Sequence, residues 1–318
     1  MKNTDQRVLA AAVDALASGR GGWLLTIAAT FGASPRPLGS LAFLDNDGQV
    51  TGSLSGGCIE DDLLEKLAGG RLAAEHCTLQ EYGVTPEENE RFGLPCGGRM
   101  KVLIEPVAAA SHLAHMKELL LALNARECRR RCVDLNSGEW LLSAPDRVCP
   151  LTLTEEMLQQ DFGPRFQLLL VGANELARCI SEIATAMDYR VVVCDPRDDR
   201  REQWVTEGVE LTGLMPDEAV AAFARDSHSI VITLTHDPRI DDMALMQALQ
   251  EECFYVGALG SERTSSKRRE RLAMLDLSET QIQQLHAPVG LAIGSKSAME
   301  IAVAVMAELV QLRSGAGG

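Results

Sequence analysis

From Phe166 onward the chain alternates short apolar runs with amphipathic segments, and this alternation restricts the fold more than any other feature. Phe166–Val171, Arg190–Cys194, Ser229–Thr235 and Phe254–Leu259 read as buried strands, with Val209–Leu214 a shorter one. Helical spacing fills the gaps at Glu175–Met187, Ile240–Gln250 and Ser266–Leu275, and at Pro216–Ala224, where proline occupies the permitted first turn. Ser278–Gln281 and Ser297–Glu300 have capping-box spacing and open two further helices. Successive parallel strands need a helical crossover, and such crossovers are right-handed, so the pattern predicts an α/β domain built on a parallel sheet.

The first turn of that domain is Val171-Gly172-Ala173-Asn174-Glu175-Leu176-Ala177, which stands where a dinucleotide fingerprint would. Gly172 permits the tight turn, Ala177 permits close helix–strand packing, and the helix N-terminus offers unpaired N–H groups to a phosphate. Asp195 lies roughly 20 residues beyond the turn, where an acid meets a ribose hydroxyl in a Rossmann-type domain. Asn174 departs from the pattern, because a second glycine normally lets a pyrophosphate reach the backbone. A nucleotide or phosphate ligand and an empty structural turn both remain open. Two later turns fall at the same carboxyl edge: Thr235-His236-Asp237-Pro238, and Gly257-Ala258-Leu259-Gly260-Ser261. Arg263, Lys267 and Arg268 beside them read either as phosphate contacts or as a solvated basic face, and His236 as a titrating group or a cap.

The first half has a different texture. Val8, Leu9, Ala12, Val13 and Leu16 share a helical face, with Asn3 or Thr4 as cap and Gly19 as stop. Trp23–Ala29 reads as a strand, 30–39 as a proline- and glycine-shaped loop, and Leu41–Leu44 with Gln49–Leu54 as a hairpin. Ser55-Gly56-Gly57-Cys58 then runs directly into the helical pattern Ile59–Leu67, which places the thiol near the positive end of a helix dipole. Glu60, Asp61 and Asp62 oppose a thiolate there, so Arg36 and Arg99 are candidate cationic neighbours. A weak strand at Thr78–Tyr82 and an acidic stretch around Pro86–Arg91 lead to a second glycine-framed thiol, Cys96, with Gly97 and Gly98. Met100–Ile104, His112–Leu123 and the pair Arg131–Leu135 and Trp140–Leu142 read as strand, helix and hairpin. The organisation is therefore a mixed α/β domain over residues 1–145, a proline-bearing linker over 146–164, and the Rossmann-type domain over 165–318.

Two domains are what 318 residues imply. A formal net charge of −15 opposes a nucleic-acid partner, and the basic runs 129–131 and 267–269 are too short to overcome it. No apolar run spans a bilayer and the first residues lack secretory order, which together predict a cytoplasmic protein without membrane association. Nine cysteines without paired C-x-x-C spacing read as thiols rather than a disulfide framework or a four-ligand zinc site. Cys58 and Cys96 stand out as a sulfur- or metal-facing pair, and the other seven as packing residues.

The combination of Gly52-Ser53-Leu54-Ser55-Gly56-Gly57-Cys58-Ile59-Glu60, the cysteine loop ending in Arg99, Thr235–Arg239, Tyr255–Ser261 and Pro288–Gly294 followed by Met299–Val303 resembles the XdhC/CoxI family over nearly the whole chain. Asn174 and Glu175 depart from the glycine, often followed by histidine, common in that family. The resemblance implies a molybdenum cofactor chaperone without a catalytic residue of its own. Such a protein holds molybdopterin, or its cytosine dinucleotide form, protects it while a terminal sulfido ligand is installed, and inserts it into an apo xanthine dehydrogenase- or aldehyde oxidoreductase-type enzyme. Implied partners are the large subunit of an apo molybdenum hydroxylase, a cysteine desulfurase, a cofactor nucleotidyltransferase and a second copy in a homodimer. Ser55, Gly56, Gly57, Cys58, Cys96, Gly97, Gly98, Gly172, Asn174, Asp195, His236, Asp237, Gly257, Gly260, Ser261 and Arg263 are the candidate cofactor contacts, with Cys58 and Cys96 facing molybdenum or sulfur. An NAD(P)-dependent oxidoreductase and a sulfurtransferase carrying persulfide on one of these cysteines remain as other readings.

Overall fold

A computed structural model describes residues 4–32, 34–69, 72, 76–92 and 98–315. The chain divides into two compact units, Lys2–Pro164 and Arg165–Gly318.

The first unit runs α1 (Thr4–Ala17), β1 (Gly22–Phe31), β2 (Leu41–Asp45), β3 (Val50–Gly52), α2 (Cys58–Ala68), β4 (Thr78–Tyr82), α3 (Pro86–Arg91), β5 (Arg99–Val107) and α4 (Ala109–Asn124). It ends with β6 (Arg129–Asp134), β7 (Trp140–Ser143), β8 (Thr152–Leu153) and β9 (Met157–Phe162). One antiparallel sheet has the order β3-β2-β1-β5-β4 and a second the order β7-β6-β9-β8. Side chains alternate along β1, so its two faces feed two cores. Leu24 and Ala28 join Leu9 and Leu16 of α1, Leu119 of α4 and Leu158 of β9. Leu25 and Ile27 join Ile59 and Leu63 of α2 with Tyr82 of β4. The apolar faces of α1 and α2 are thus what cover the sheet, which explains why their spacing is helical.

Residues 146–164 are not the linker the prolines suggested, because β8 and β9 lie within them and β9 pairs with β6 along its length. The strand is hard to see in the sequence because its inward positions include Gln160, and the neighbouring Asp161 is polar too. Asp161 takes a forked hydrogen bond from Arg130, with Nε and Nη2 each at 2.7 Å, and Gln160 Oε1 accepts from Arg131 Nη2 at 3.0 Å. Arg131 is fully buried and pairs with the buried Glu105 at 3.2 Å. The basic run 129–131 therefore faces carboxylates inside its own unit: Arg129 reaches Glu127 at 2.7 Å. Pro86–Arg91, read only as an acidic stretch, is a helix started by Thr85, whose hydroxyl accepts from Glu88 N, with proline in the first turn.

The second unit runs β10 (Gln167–Val171), α5 (Glu175–Ala186), β11 (Arg190–Cys194), α6 (Asp198–Glu202), β12 (Glu210–Thr212), α7 (Pro216–Phe223) and β13 (Ser229–Thr233). It closes with α8 (Pro238–Ala248), β14 (Tyr255–Ala258), α9 (Glu262–Ala273), α10 (Glu279–Gln283), β15 (Leu285–His286) and α11 (Ala298–Gly315). All strands are parallel in the order β12-β11-β10-β13-β14-β15, the Rossmann order, with buried residues on both faces. Strands fully buried on both sides read as continuous apolar runs, so this half is the more legible one. The helix α9 begins four residues ahead of the expected start, because Ser261 caps it through Thr264 N.

Candidate functional site

In the first unit, the loop ahead of α2 is organised by one carboxylate. Glu60 Oε1 accepts from Ser53 Oγ at 2.9 Å, Leu54 N at 2.5 Å and Ser55 N at 3.1 Å, while Oε2 accepts from Ser55 Oγ at 2.5 Å and Gly57 N at 3.1 Å. Ser53 Oγ and Ser55 Oγ in turn accept from Gly56 N at 3.1 Å and Ile59 N at 3.0 Å. Burial alone would raise the Glu60 pKa, but the Ser55 hydroxyl and the backbone donors of Ser55 and Leu54 outweigh it and hold the carboxyl down at about 2. Glu60 is thus a permanent anion turned inward against its own loop.

That arrangement leaves the outer side of the loop open. Gly56 and Gly57 have φ values of 102° and 136°, and a side chain at either would meet nothing within 4 Å. The two glycines are there for backbone shape, with free space in front of them. Cys58 is the first residue of α2 and its thiol is exposed. Burial, by contrast, pushes the thiols of Cys77, Cys194 and Cys253 up to about 12 and keeps them protonated, while Cys179 lies in the core. Asp62, expected to repel a thiolate, is buried and engaged by Tyr82 Oη at 2.9 Å and Lys66 Nζ at 2.7 Å.

The strand register shows what shares this end of the sheet. Gly52, just ahead of the loop, pairs with Ala42, and β1 extends past that point to Phe31, which pairs with Arg99. The 34–39 loop with Arg36, the exposed Arg99, and Ser55–Cys58 therefore leave the sheet on one side. Gly98 is buried there, its Cα 3.6 Å from where a side chain on Gly32 would begin. Cys96 and Gly97 lie outside the described residues. Among the described residues, no group of three or more histidine, cysteine or acidic side chains is arranged to hold a metal ion. A cavity of about 880 Å³ opens at the opposite end of the sheet, beside Gly22 and Val107. The His112 imidazole lining it is tied to its own helix start through Ser111 Oγ at 2.7 Å and Ala108 N at 3.2 Å.

In the second unit, β10 and β13 are the neighbours at which strand order reverses, and ligands of open α/β sheets sit outside that point. Here the two strand ends are tied together. Asn174 Oδ1 caps α5 by accepting from Ala177 N at 2.9 Å, and its Nδ2 donates to Leu234 O at 2.8 Å. Gly172 (φ 116°) has Thr235 so close that a Cβ would stand 2.8 Å from its Cγ2. Gly172 is therefore needed for contact between two loops, not for ligand approach. Gly172→Ala is expected to cost about 1–3 kcal/mol through overpacking and a strained φ, read as a lower urea midpoint at unchanged slope.

Asp195 also differs from expectation. It is fully buried, with Oδ1 accepting from Arg197 N at 3.1 Å and Arg197 Nε at 2.8 Å, and Oδ2 from Ala173 N and Arg197 Nη2, both at 2.8 Å. A carboxylate offers about four lone-pair positions, and the chain fills them, so no ribose hydroxyl has a place. Burial works against its charge, and the Arg197 and Ala173 hydrogen bonds overcome it and lower its pKa.

The remaining candidates divide between edge and interior. His236 is exposed in the left-handed region (φ 63°), and Asp237 caps α8 and is gripped by the Arg239 guanidinium at 2.9 Å. Gly260, Ser261 and the exposed Arg263 do lie at the carboxyl edge. Gly257 does not. It is buried inside β14 against the Tyr255 ring and Val289, with no room for a Cβ. Arg268 is likewise interior, bonded to Asp241 Oδ2 at 2.9 Å and Leu259 O at 3.1 Å, so it braces the edge loops instead of meeting phosphate. Arg197 was not singled out from the sequence, and Glu60 was read there only as a charge opposing a thiolate, not as the group that shapes the loop. Glu60 had a signal, an acid three residues into a helix behind a serine- and glycine-rich turn.

The family description "XdhC and CoxI family" matches residues 15–83, and "XdhC Rossmann domain" matches residues 168–309. The molybdenum cofactor insertion chaperone PaoD of Escherichia coli is 29% identical over 320 residues, covering 96% of this chain and 88% of that protein. A probable xanthine dehydrogenase subunit from Bacillus subtilis is 25% identical, covering 91% of this chain and 92% of that one. Among solved structures, a xanthine dehydrogenase of Bacillus halodurans superposes with a TM-score of 0.73 at 23% identity, covering 97% of this chain and 96% of that one, a likeness of fold. No described helix is long and apolar enough to cross a membrane.

Proposed function

The chain belongs to the XdhC and CoxI family, and from that premise we propose that it is a molybdenum cofactor chaperone. In this reading it holds the pterin-dithiolene cofactor, shields it during sulfuration, and delivers it to the large subunit of an apo molybdenum hydroxylase in the cytoplasm. The similarity to PaoD along nearly all of both chains supports the carrier role. The observation in the structure that carries the reading is the Ser55–Cys58 loop: an outward-facing thiol beside open space, on a backbone fixed from behind by Glu60. Such a loop suits a bulky ligand with a soft metal centre, since a thiol can face molybdenum or sulfur while small residues admit the ligand body. Cys96, the desulfurase, the nucleotidyltransferase and a homodimer belong to the same proposal.

A nicotinamide oxidoreductase is the weaker reading, because Asn174 bridges the switch point and Asp195 is saturated. The test is anaerobic loading with molybdopterin, followed by metal analysis and fluorescence of the oxidised pterin. Wild type is expected to retain both, and Cys58→Ser to lose retention by about tenfold or more, with its melting temperature unchanged. Failure of wild type to bind, or full retention and full client activation by the serine variant, would remove the proposal. A trapped persulfide on Cys58 with no bound pterin would favour the sulfurtransferase instead.

A further inference from the structure

We propose that the carboxyl edge of the second unit is a phosphate-reading site served by Arg197, with Asp195 as its positioning residue and no provision for a ribose diol. The inference rests on the carrier reading only for the identity of the cargo whose phosphate, terminal or bridging, would bind there.

Asp195 follows β11 at the carboxyl edge, and Arg197 stands two residues beyond it. The Asp195 carboxylate grips Arg197 through Nε and Nη2, both at 2.8 Å, and fixes the plane of the guanidinium. Asp195 is itself immovable, being fully buried, bonded to Ala173 N, and with its carbonyl accepting from Arg201 Nη1 at 2.6 Å. Among the described residues Arg197 Nη1 has no partner, and the side chain is 38% exposed. A guanidinium held on one side by a carboxylate keeps its charge and aims its remaining N–H groups outward, the geometry that suits phosphate oxygens. The nearby Asp237 carboxylate feels the Arg197 charge but is itself clamped by Arg239, which limits its competition for Arg197. Where a dinucleotide enzyme would present an acid to a diol, this chain presents a cation. Where a pyrophosphate would cross the switch point, Asn174 occupies the helix start and Leu234 O.

The experiment is calorimetric titration of the full-length protein with inorganic pyrophosphate, and separately with NAD+. Wild type is expected to bind pyrophosphate and not NAD+. Arg197→Gln should weaken pyrophosphate about tenfold, the size expected for one charge-assisted contact. Arg197→Lys, which keeps the charge but not the fork, should recover only part of that. In an Asp195→Asn background the Arg197→Gln effect should shrink to about threefold or less, a coupling that a purely structural role for Asp195 would not produce. Equal pyrophosphate affinity in wild type and Arg197→Gln, no pyrophosphate binding by wild type, or NAD+ binding abolished by Asp195→Asn would each overturn the proposal. Molybdopterin retention is scored in parallel. Loss of pyrophosphate binding in Arg197→Gln beside a wild type that never holds cofactor would sink the carrier reading alone. Intact cofactor retention with pyrophosphate affinity indifferent to Arg197 would sink this inference alone.

Discussion

Glu60→Gln is expected to lower stability by about 3 kcal/mol at neutral pH and to abolish cofactor retention even with Cys58 intact. The amide cannot take hydrogen bonds on both of its ends, so the Ser55 hydroxyl and Gly57 N–H, which now donate to Oε2, would face a donor. Each donor so stranded is costly, and the wild-type bonds are of the stronger, charge-assisted kind. The pH dependence gives an independent check. The folded pKa of about 2 lies below the ordinary 4.5, so the stabilisation is fully present above about pH 4.5 and fades as pH falls through about 2. Urea unfolding from pH 7 down to 2 should show wild type losing its advantage over the Gln variant across that window. Parallel pH profiles for the two proteins would show that the carboxylate is not what holds the loop.

Arg131→Met is expected to cost about 3–5 kcal/mol, because it leaves Glu105 buried without its partner. Glu105 accepts from Arg131 Nη1 at 3.3 Å and Trp140 Nε1 at 3.0 Å, and Arg131 also reaches Thr26 Oγ1 at 3.3 Å and Gln160 Oε1 at 3.0 Å. Its guanidinium lies 4.5 Å from the Trp140 ring centroid and 5.7 Å from that of Phe162. The pair ties β5 of the first sheet to β6, β7 and β9 of the second. Burial already pushes the Glu105 pKa up against the pull of Arg131, so removing Arg131 should push it further and favour the protonated carboxyl in the folded variant. The double variant Arg131→Met/Glu105→Leu removes both charges and should recover much of the loss. Chemical denaturation of the three proteins decides it: a single variant within about 1 kcal/mol of wild type would mean the pair is solvated.

How much could be read from the sequence depended on where polar side chains find their partners. The parallel half was legible because strands such as Leu168–Val171 and Ile230–Thr233 are buried on both faces, and capping residues such as Ser278 mark their helices locally. Strand β9 was illegible because Gln160 and Asp161 are satisfied by arginines some thirty positions earlier in the chain, a long-range pairing that no local periodicity reports. The same limit governs the sites. The Ser55–Cys58 loop stood out as a candidate because its glycines and thiol are contiguous. Asp195 looked like a ribose ligand because spacing places it correctly at a strand end, but spacing does not reveal that Arg197 and Ala173 N already occupy its oxygens. Arg268 looked like a phosphate contact for a similar reason, since a basic run shows charge and hides the buried Asp241 that balances it.

Under the proposed carrier role, in which cargo sits on the Ser55–Cys58 loop and must later be given up, the inward-turned Glu60 has a kinetic consequence. Because the loop takes its shape from its own helix, little chain entropy is spent when cargo arrives and little is recovered when it leaves. Affinity is then set by the few contacts the cargo itself makes, and residence time can be shortened by a competing client without first unfolding the loop. On that proposal, a thiol-bearing cradle that is already formed is emptied and refilled at the pace of exchange.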